Sequence, residues 1–199
     1  MDARTNRVIV GGYNIKEGAR DLVRFYEQLT LGGLRPESAT VDGNPQQIKY
    51  LRALWPCLIV QRCIVHVQRQ GLSWCRRKPK RTDAKHLREL FILLSDVHTQ
   101  ADARRFIKRV KAWELRFGSA LDVSTNRGWV YSDLLRARSM VQKALPDLFH
   151  YVHNKRIPRS TNALEGYFSR LKEHYRRHRG LAVSNLNAYF KWYFYLVPL

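Results

Sequence analysis

Acidic residues are scarce in this chain of 199 residues. Asp and Glu total 16 against 36 Lys and Arg, which gives a formal net charge of +20 and a pI of about 10.4. Such a surface carries a strong positive potential, and nucleic acid is the obvious polyanionic partner. Because 45% of the residues are hydrophobic and 12% are aromatic, the chain can build a sizeable core, which excludes a disordered polybasic protein.

Long apolar runs are also missing. The closest stretch, Leu186 to Leu199, contains Asn187 and Lys191 and falls short of the roughly 18 residues that a membrane-spanning helix requires. The polar start of the chain, from Met1 to Arg7, does not resemble a signal peptide. We therefore expect a cytoplasmic protein that is associated with the nucleoid through DNA and has no membrane partner.

Cysteine is rare as well. Cys57, Cys63 and Cys75 are three in number, and an odd count in a chain that is not secreted indicates reduced thiols rather than a disulfide framework. Cys63 and His66 have the spacing of half a zinc site, but structural zinc usually takes two such pairs and the second pair is missing. We expect no zinc.

The first 66 residues alternate between strand-like and helix-like patterns. An α/β sheet of parallel strands covered by helices is the expected fold. Its functional edge lies at the carboxyl ends of the strands, where Asp42 ends the second strand and Cys63 and His66 follow the third. The predicted elements are a strand over 7–13, a helix over 17–31, a strand over 38–42, a helix over 45–54 and a strand over 57–63.

From residue 67 to residue 157 the pattern is helical and rich in Lys and Arg, which predicts an all-α insertion. Residues 1–66 and 158–199 then form the core domain that this insertion interrupts. After it, Ser160, Thr161 or Asn162 is expected to cap a helix. Glu165 lies in the first turn of that helix, and the apolar residues expected to be buried along it are Leu164, Phe168 and Leu171.

Three motifs in order resemble the Mutator-type transposases of bacterial insertion sequences. They are Val41-Asp42-Gly43, then Gln61-Arg-Cys63-Ile-Val-His66, then Ser160-Thr-Asn162-Ala-Leu-Glu165. The resemblance implies a ribonuclease-H-like sheet interrupted by an α-helical domain. It also implies a DDE-type enzyme that cuts and joins DNA at transposon ends, and a homo-oligomer in the synaptic complex.

The chemistry of strand transfer suits these residue types. Two Mg²⁺ or Mn²⁺ ions can stabilise both the attacking and the leaving oxygen, and they prefer oxygen ligands. By resemblance, Asp42 and Glu165 are expected to be catalytic metal ligands that converge in space, His66 to assist catalysis, and Cys63 and Asn162 to support the site. The alternatives stay open: Asp42 as a turn residue, Glu165 as an acid favoured by the helix dipole, and Cys63 and His66 as a core residue and a helix-start residue.

Two basic runs are predicted to bind the phosphates of double-stranded DNA, both transposon ends and target. Trp113 and Trp129 could stack on a displaced base, although packing within the insertion is the expected role of both. The residues predicted to contact DNA are Arg76, Arg77, Lys78, Lys80, Arg81, Lys172, Arg176, Arg177 and Arg179.

A count of strands gives one more expectation. In a ribonuclease-H-like sheet three strands precede the first helix, and the first of them carries a catalytic Asp, whereas here a single predicted strand precedes the helix that starts near Glu17. The front of the domain is therefore expected to be missing, and the chain to be inactive alone. The alternative function is a non-catalytic nucleic-acid-binding remnant of a transposase.

Overall fold

A computed structural model describes residues 1–11, 19–123, 128–178 and 180–197. The predicted fold class is wrong: about two-thirds of the described chain is helical, and its sheet is one parallel pair of strands rather than a ribonuclease-H-like sheet with an all-α insertion. The strands are β1 (Ser38–Val41) and β2 (Ile59–Arg62). The helices are α1 (Ala19–Leu31), α2 (Pro45–Leu54), α3 (Ile64–Cys75), α4 (Thr82–Leu93), α5 (Gln100–Asp122), α6 (Trp129–Ala144), α7 (His150–His153), α8 (Asn162–Arg176) and α9 (Val183–Leu196).

The strand predicted over 7–13 is the clearest error. Residues 7–11 form no strand, and residues 12 and 13 lie outside the described part. The carbonyl of Arg7 accepts a hydrogen bond of 2.8 Å from the backbone N–H of Asp2, so the chain turns back on itself before an extended ladder can form. Val8 packs instead against an aromatic cluster on α8 and α9. The strand count behind the expectation of a missing catalytic acid therefore loses its basis.

The chain divides into two compact units. The first unit comprises Met1–Ser38, Asn44–Leu58 and Thr161–Leu199, and the second comprises Ala39–Gly43 and Ile59–Ser160.

The second unit is built on α3, α4, α5 and α6. The apolar residues of α5 recur at helical spacing, so that Phe106, Val110 and Trp113 are buried on one face. Trp113 Nε1 donates to the carbonyl of Asp83 at 3.0 Å, which fixes α5 against α4. Trp113 is therefore a core residue. Trp129 is 80% exposed at the start of α6, so the prediction that it packs within the insertion is wrong.

The short sheet lies beside this helical core. Val60 and Gln61 are buried on successive, opposite faces of β2, whereas Ile59 is 39% exposed. The amide of Gln61 donates to the carbonyl of Leu148 at 2.7 Å and accepts from the backbone N–H of Tyr151 at 3.3 Å. A buried polar side chain with both ends paired in this way anchors β2 to the segment after α6.

Two contacts tie the beginning of the second unit to its end. The backbone N–H of Ile64 donates to the carbonyl of Arg159 at 3.0 Å. The hydroxyl of Thr40 donates to the carbonyl of Pro158 at 2.8 Å. The chain therefore enters and leaves this unit at neighbouring positions in space.

The first unit contains α1, α2, α8 and α9. Helix α2 has the predicted bounds because Asn44 caps it, accepting hydrogen bonds from the N–H groups of Gln46 and Gln47, and Pro45 occupies its first position. On α8 the buried residues are Tyr167 and Leu171, while Phe168 is 42% exposed. Leu171 is therefore buried as predicted, but Tyr167 is buried in place of Phe168, because Tyr167 packs on Tyr193 of α9. Within the described residues, no helix is long and apolar enough to cross a membrane.

Candidate nucleic-acid interface

The carboxyl ends of the two strands lie side by side. The backbone N–H of Cys63 donates to the carbonyl of Val41 at 2.7 Å, which places Asp42 and Cys63 next to each other at the same edge of the sheet. Asp42 is exposed, and Gly43 after it has a φ of +114°. This positive φ favours glycine, and a side chain at position 43 would also require the guanidinium of Arg62 to move.

Arg62 supplies the positive charge at this edge. Burial lowers the pKa of its guanidinium, and the carboxylates of Asp147 and Asp42 oppose that shift. The Asp42 carboxylate therefore faces a cation of its own chain, and a metal ion would have to compete with that cation for the carboxylate.

Cys63 and His66 begin α3. Cys63 is buried at the N-cap, His66 is half-buried one turn further on, and the sulfur of Cys63 lies within 4.8 Å of a ring nitrogen of His66. Burial of Cys63 agrees with its reading as a core residue. The edge of the second unit thus offers one carboxylate, one imidazole and one thiol. Mg²⁺ takes oxygen ligands, so this set does not fit Mg²⁺ by itself.

Glu165 belongs to the first unit. It lies in the first turn of α8, where the hydroxyl of Thr161 donates to its Oε1 at 3.0 Å. Thr161 is the N-cap residue, but its hydroxyl points to Glu165 rather than to a backbone N–H. Asn162 is the exposed first residue of the helix. Since Asp42 and Glu165 belong to different units, their convergence stays a prediction.

The first basic run forms the loop between α3 and α4. Arg76, Arg77, Lys78, Lys80 and Arg81 are all exposed. The carboxylate partners are Asp133 for Arg76, at 3.8 Å, and Asp83 for Arg81, at 2.6 Å. Arg77, Lys78 and Lys80 form no ion pair with any residue that the structure describes, so they are available to an anion.

Arg76 begins this loop in an unusual backbone conformation. Its φ is 63° and its ψ is 169°, a region that residues other than glycine rarely adopt and that costs about 1–3 kcal/mol. The carbonyl of Arg76 accepts a hydrogen bond of 2.9 Å from Nε of Arg88, which holds the turn in place.

The second basic run lies at the end of α8. Lys172, Arg176 and Arg177 are exposed, and Arg177 forms an ion pair of 3.1 Å with Glu173 one turn earlier. Arg179 lies outside the described residues. This run is thus a solvated cationic face of α8, partly neutralised by its own helix.

The sequence reasoning missed a third basic surface, which we call the α5 stripe. Its cations are interrupted by apolar residues and do not form one continuous run, but spacings of three and four residues place them together on the exposed side of α5. The stripe rises about 18 Å along the helix axis. Arg105 pairs with Asp102, and Arg116 lies over the ring of Phe117. The other cations of the stripe have no partner among the described residues. The stripe consists of Arg104, Arg105, Lys108, Arg109, Lys111 and Arg116.

Comparisons with models of protein families, with curated proteins and with solved structures found no match to this chain. Function is therefore inferred from the residues and their geometry.

Proposed function

We propose that this chain binds the phosphate backbone of DNA and serves in this way as part of a Mutator-type transposase in DNA transposition. The observation that carries the proposal is the exposed, largely unpaired cationic surface of the second unit, made of the α5 stripe and the loop after α3. The net charge of +20 supports it. The ordered motifs around Asp42, Cys63 and Glu165 support the assignment to transposition.

The α5 stripe suits a phosphate backbone for a geometric reason. Phosphates of one strand repeat every 3.4 Å along the duplex axis, so a row of about 18 Å can follow roughly five of them. Contacts of this kind position DNA without reading its sequence. The expected binding is therefore tight at low salt and has little sequence preference.

The test compares two triple variants by fluorescence anisotropy on a labelled duplex over a range of salt concentrations. Arg104→Ala/Lys108→Ala/Lys111→Ala removes one line of the stripe. Arg4→Ala/Arg20→Ala/Arg24→Ala removes the same charge from exposed positions in the first unit. Each lost phosphate contact lowers the slope of log K against log salt by about 0.9. We expect the stripe variant to lose about 3 in slope and the control to lose less than about 1.

Three results would overturn the proposal. They are no binding at low salt, binding whose affinity does not change with salt, or an equal loss of slope in the two variants. The last result would mean that net charge, and not this surface, attracts the DNA.

A further inference from the structure

A small cavity opens beside the loop after α3. Its volume is about 310 Å³, and it lies entirely within the second unit. Four of its lining residues are cationic and none carries a carboxylate. The lining includes the cations Arg76, Lys78, Lys80 and Arg81 and the apolar residues Trp74 and Val130.

The lining combines cationic and apolar side chains. Lys78 and Lys80 lack ion-pair partners among the described residues, while Arg81 is held by Asp83 and lies 5.6 Å from the ring centre of Tyr131. Among the apolar lining residues, Trp74 is half-buried and Val130 is 43% exposed. A ligand that contacts both kinds of side chain has an anionic group joined to a flat apolar group. A free phosphate ion would leave the apolar lining residues without a contact, whereas a nucleotide joins a phosphate to a flat base in one unit.

We propose that this cavity holds one unpaired nucleotide of single-stranded DNA, with its phosphate on the cations and its base against Trp74. The inference rests on the proposed binding of DNA phosphates and adds a subsite for a base. The volume lies at the lower end of the range for small-ligand sites, which suits one nucleotide and is far too small for a duplex. Stacking on an aromatic ring tolerates every base.

The lining is held in position before a ligand arrives. Pro79 restricts the backbone between Lys78 and Lys80, and the carbonyl of Arg76 is fixed by the Arg88 side chain. The ion pair with Asp83 holds the guanidinium of Arg81 in one orientation. Preorganisation of this kind lowers the entropy lost on binding.

The experiment measures the affinity of two octamers with the same phosphates, oligothymidylate and an abasic chain. We expect wild-type protein to bind oligothymidylate at least about fivefold more tightly, since stacking on an aromatic ring strengthens binding by about this factor or more per base. Trp74→Leu should abolish that preference and leave the affinity for the abasic chain unchanged, whereas Trp74→Phe should keep it. The midpoint of thermal unfolding shows whether each variant is folded.

Arg77 provides the matched control for charge, because it belongs to the same exposed run but does not line the cavity. Lys78→Ala should weaken oligothymidylate binding at least about threefold more than Arg77→Ala. Equal losses in these two variants, or equal affinity of wild-type protein for both octamers, would overturn the inference. Duplex binding that stays salt-dependent in that case would leave the proposed function standing, whereas loss of both would remove the proposed function as well.

Discussion

At the scale of single residues, the environment of each thiol decides its chemistry. Cys57 is exposed, whereas Cys63 and Cys75 are buried. Burial raises the pKa of the Cys75 thiol from its ordinary value of 9.0 to about 12, and burial raises the pKa of the Tyr151 hydroxyl from 10.0 to about 12. Both groups are therefore neutral in the folded protein over the whole physiological range, which makes Cys75 an unreactive thiol.

These shifts predict how stability depends on pH. A group whose pKa is raised on folding contributes stability that is complete below its unfolded value and is lost as the pH rises toward the folded value. We expect the free energy of unfolding, measured with urea, to fall between about pH 9 and pH 12. Cys75→Ala should make this fall shallower.

Cys57→Ala is the control, since an exposed thiol should not change the slope. An identical pH profile for wild-type protein and Cys75→Ala would contradict the buried position of this thiol. Alkylation at pH 8 gives a second measurement: Cys57 should react in the native protein, and all three cysteines should react in denaturant.

Other residues show how far local reasoning extends. The apolar spacing after Pro45 was enough to predict α2 with its observed bounds, because helical period is a local property. The exposure of Phe168 and the burial of Tyr167 could not be predicted in this way. Tyr167 and Phe168 are both aromatic, and the choice between them is made by contact with Tyr193, which is distant in sequence.

At the scale of elements, α3 packs tightly against α4 at one point. Gly71 of α3 lies against the ring of Phe91 of α4, and a methyl group at position 71 would overlap that ring. On α8, by contrast, a methyl group at Gly166 would meet nothing closer than 4.0 Å. Gly71 and Gly166 therefore differ in the space that an added methyl group would find.

We expect opposite effects from the same substitution at these glycines. Gly71→Ala should lower the free energy of unfolding by about 1–3 kcal/mol, because the added carbon overpacks the core. Gly166→Ala should raise it by about 0.5–1 kcal/mol, because alanine favours the helix. Urea unfolding of both variants tests the pair. A gain in stability at position 71 would show that α3 and α4 are further apart than described.

Strands were harder to predict than helices for a physical reason. The patterns over 38–42 and 57–63 led to real strands because each segment pairs with the other. Residues 8–10 are also β-branched, but the chain here turns back toward Asp2. A strand needs a partner for its backbone groups, and no local pattern states whether that partner exists.

At the scale of the whole molecule, charge was predictable and architecture was not. The count of 36 basic residues is a property of the sequence alone. The α5 stripe needed a helix to bring its cations together. Asp42 was expected at a strand end, and the structure places it beside Cys63, but the large sheet expected around them does not form.

This arrangement predicts that the purified chain binds DNA without cutting it. The strand ends of the second unit provide one carboxylate beside the guanidinium of Arg62, which is a poor set of ligands for Mg²⁺ or Mn²⁺. Supercoiled plasmid incubated with either metal should show no nicking above background. Nicking by wild-type protein that disappears in Asp42→Asn and in Glu165→Gln would contradict this expectation and would assign a metal-binding role to both acids.

The hydrogen bond between Ile64 and Arg159 also determines how the second unit carries mechanical load. Tension applied along the chain at Ile59 and Ser160 meets this bond and the neighbouring bond between Thr40 and Pro158 before it reaches the helices between them. The force is therefore carried first by these two hydrogen bonds at one end of the unit. While those contacts hold, tension applied at Ile59 and Ser160 does not pass through α4, α5 and α6.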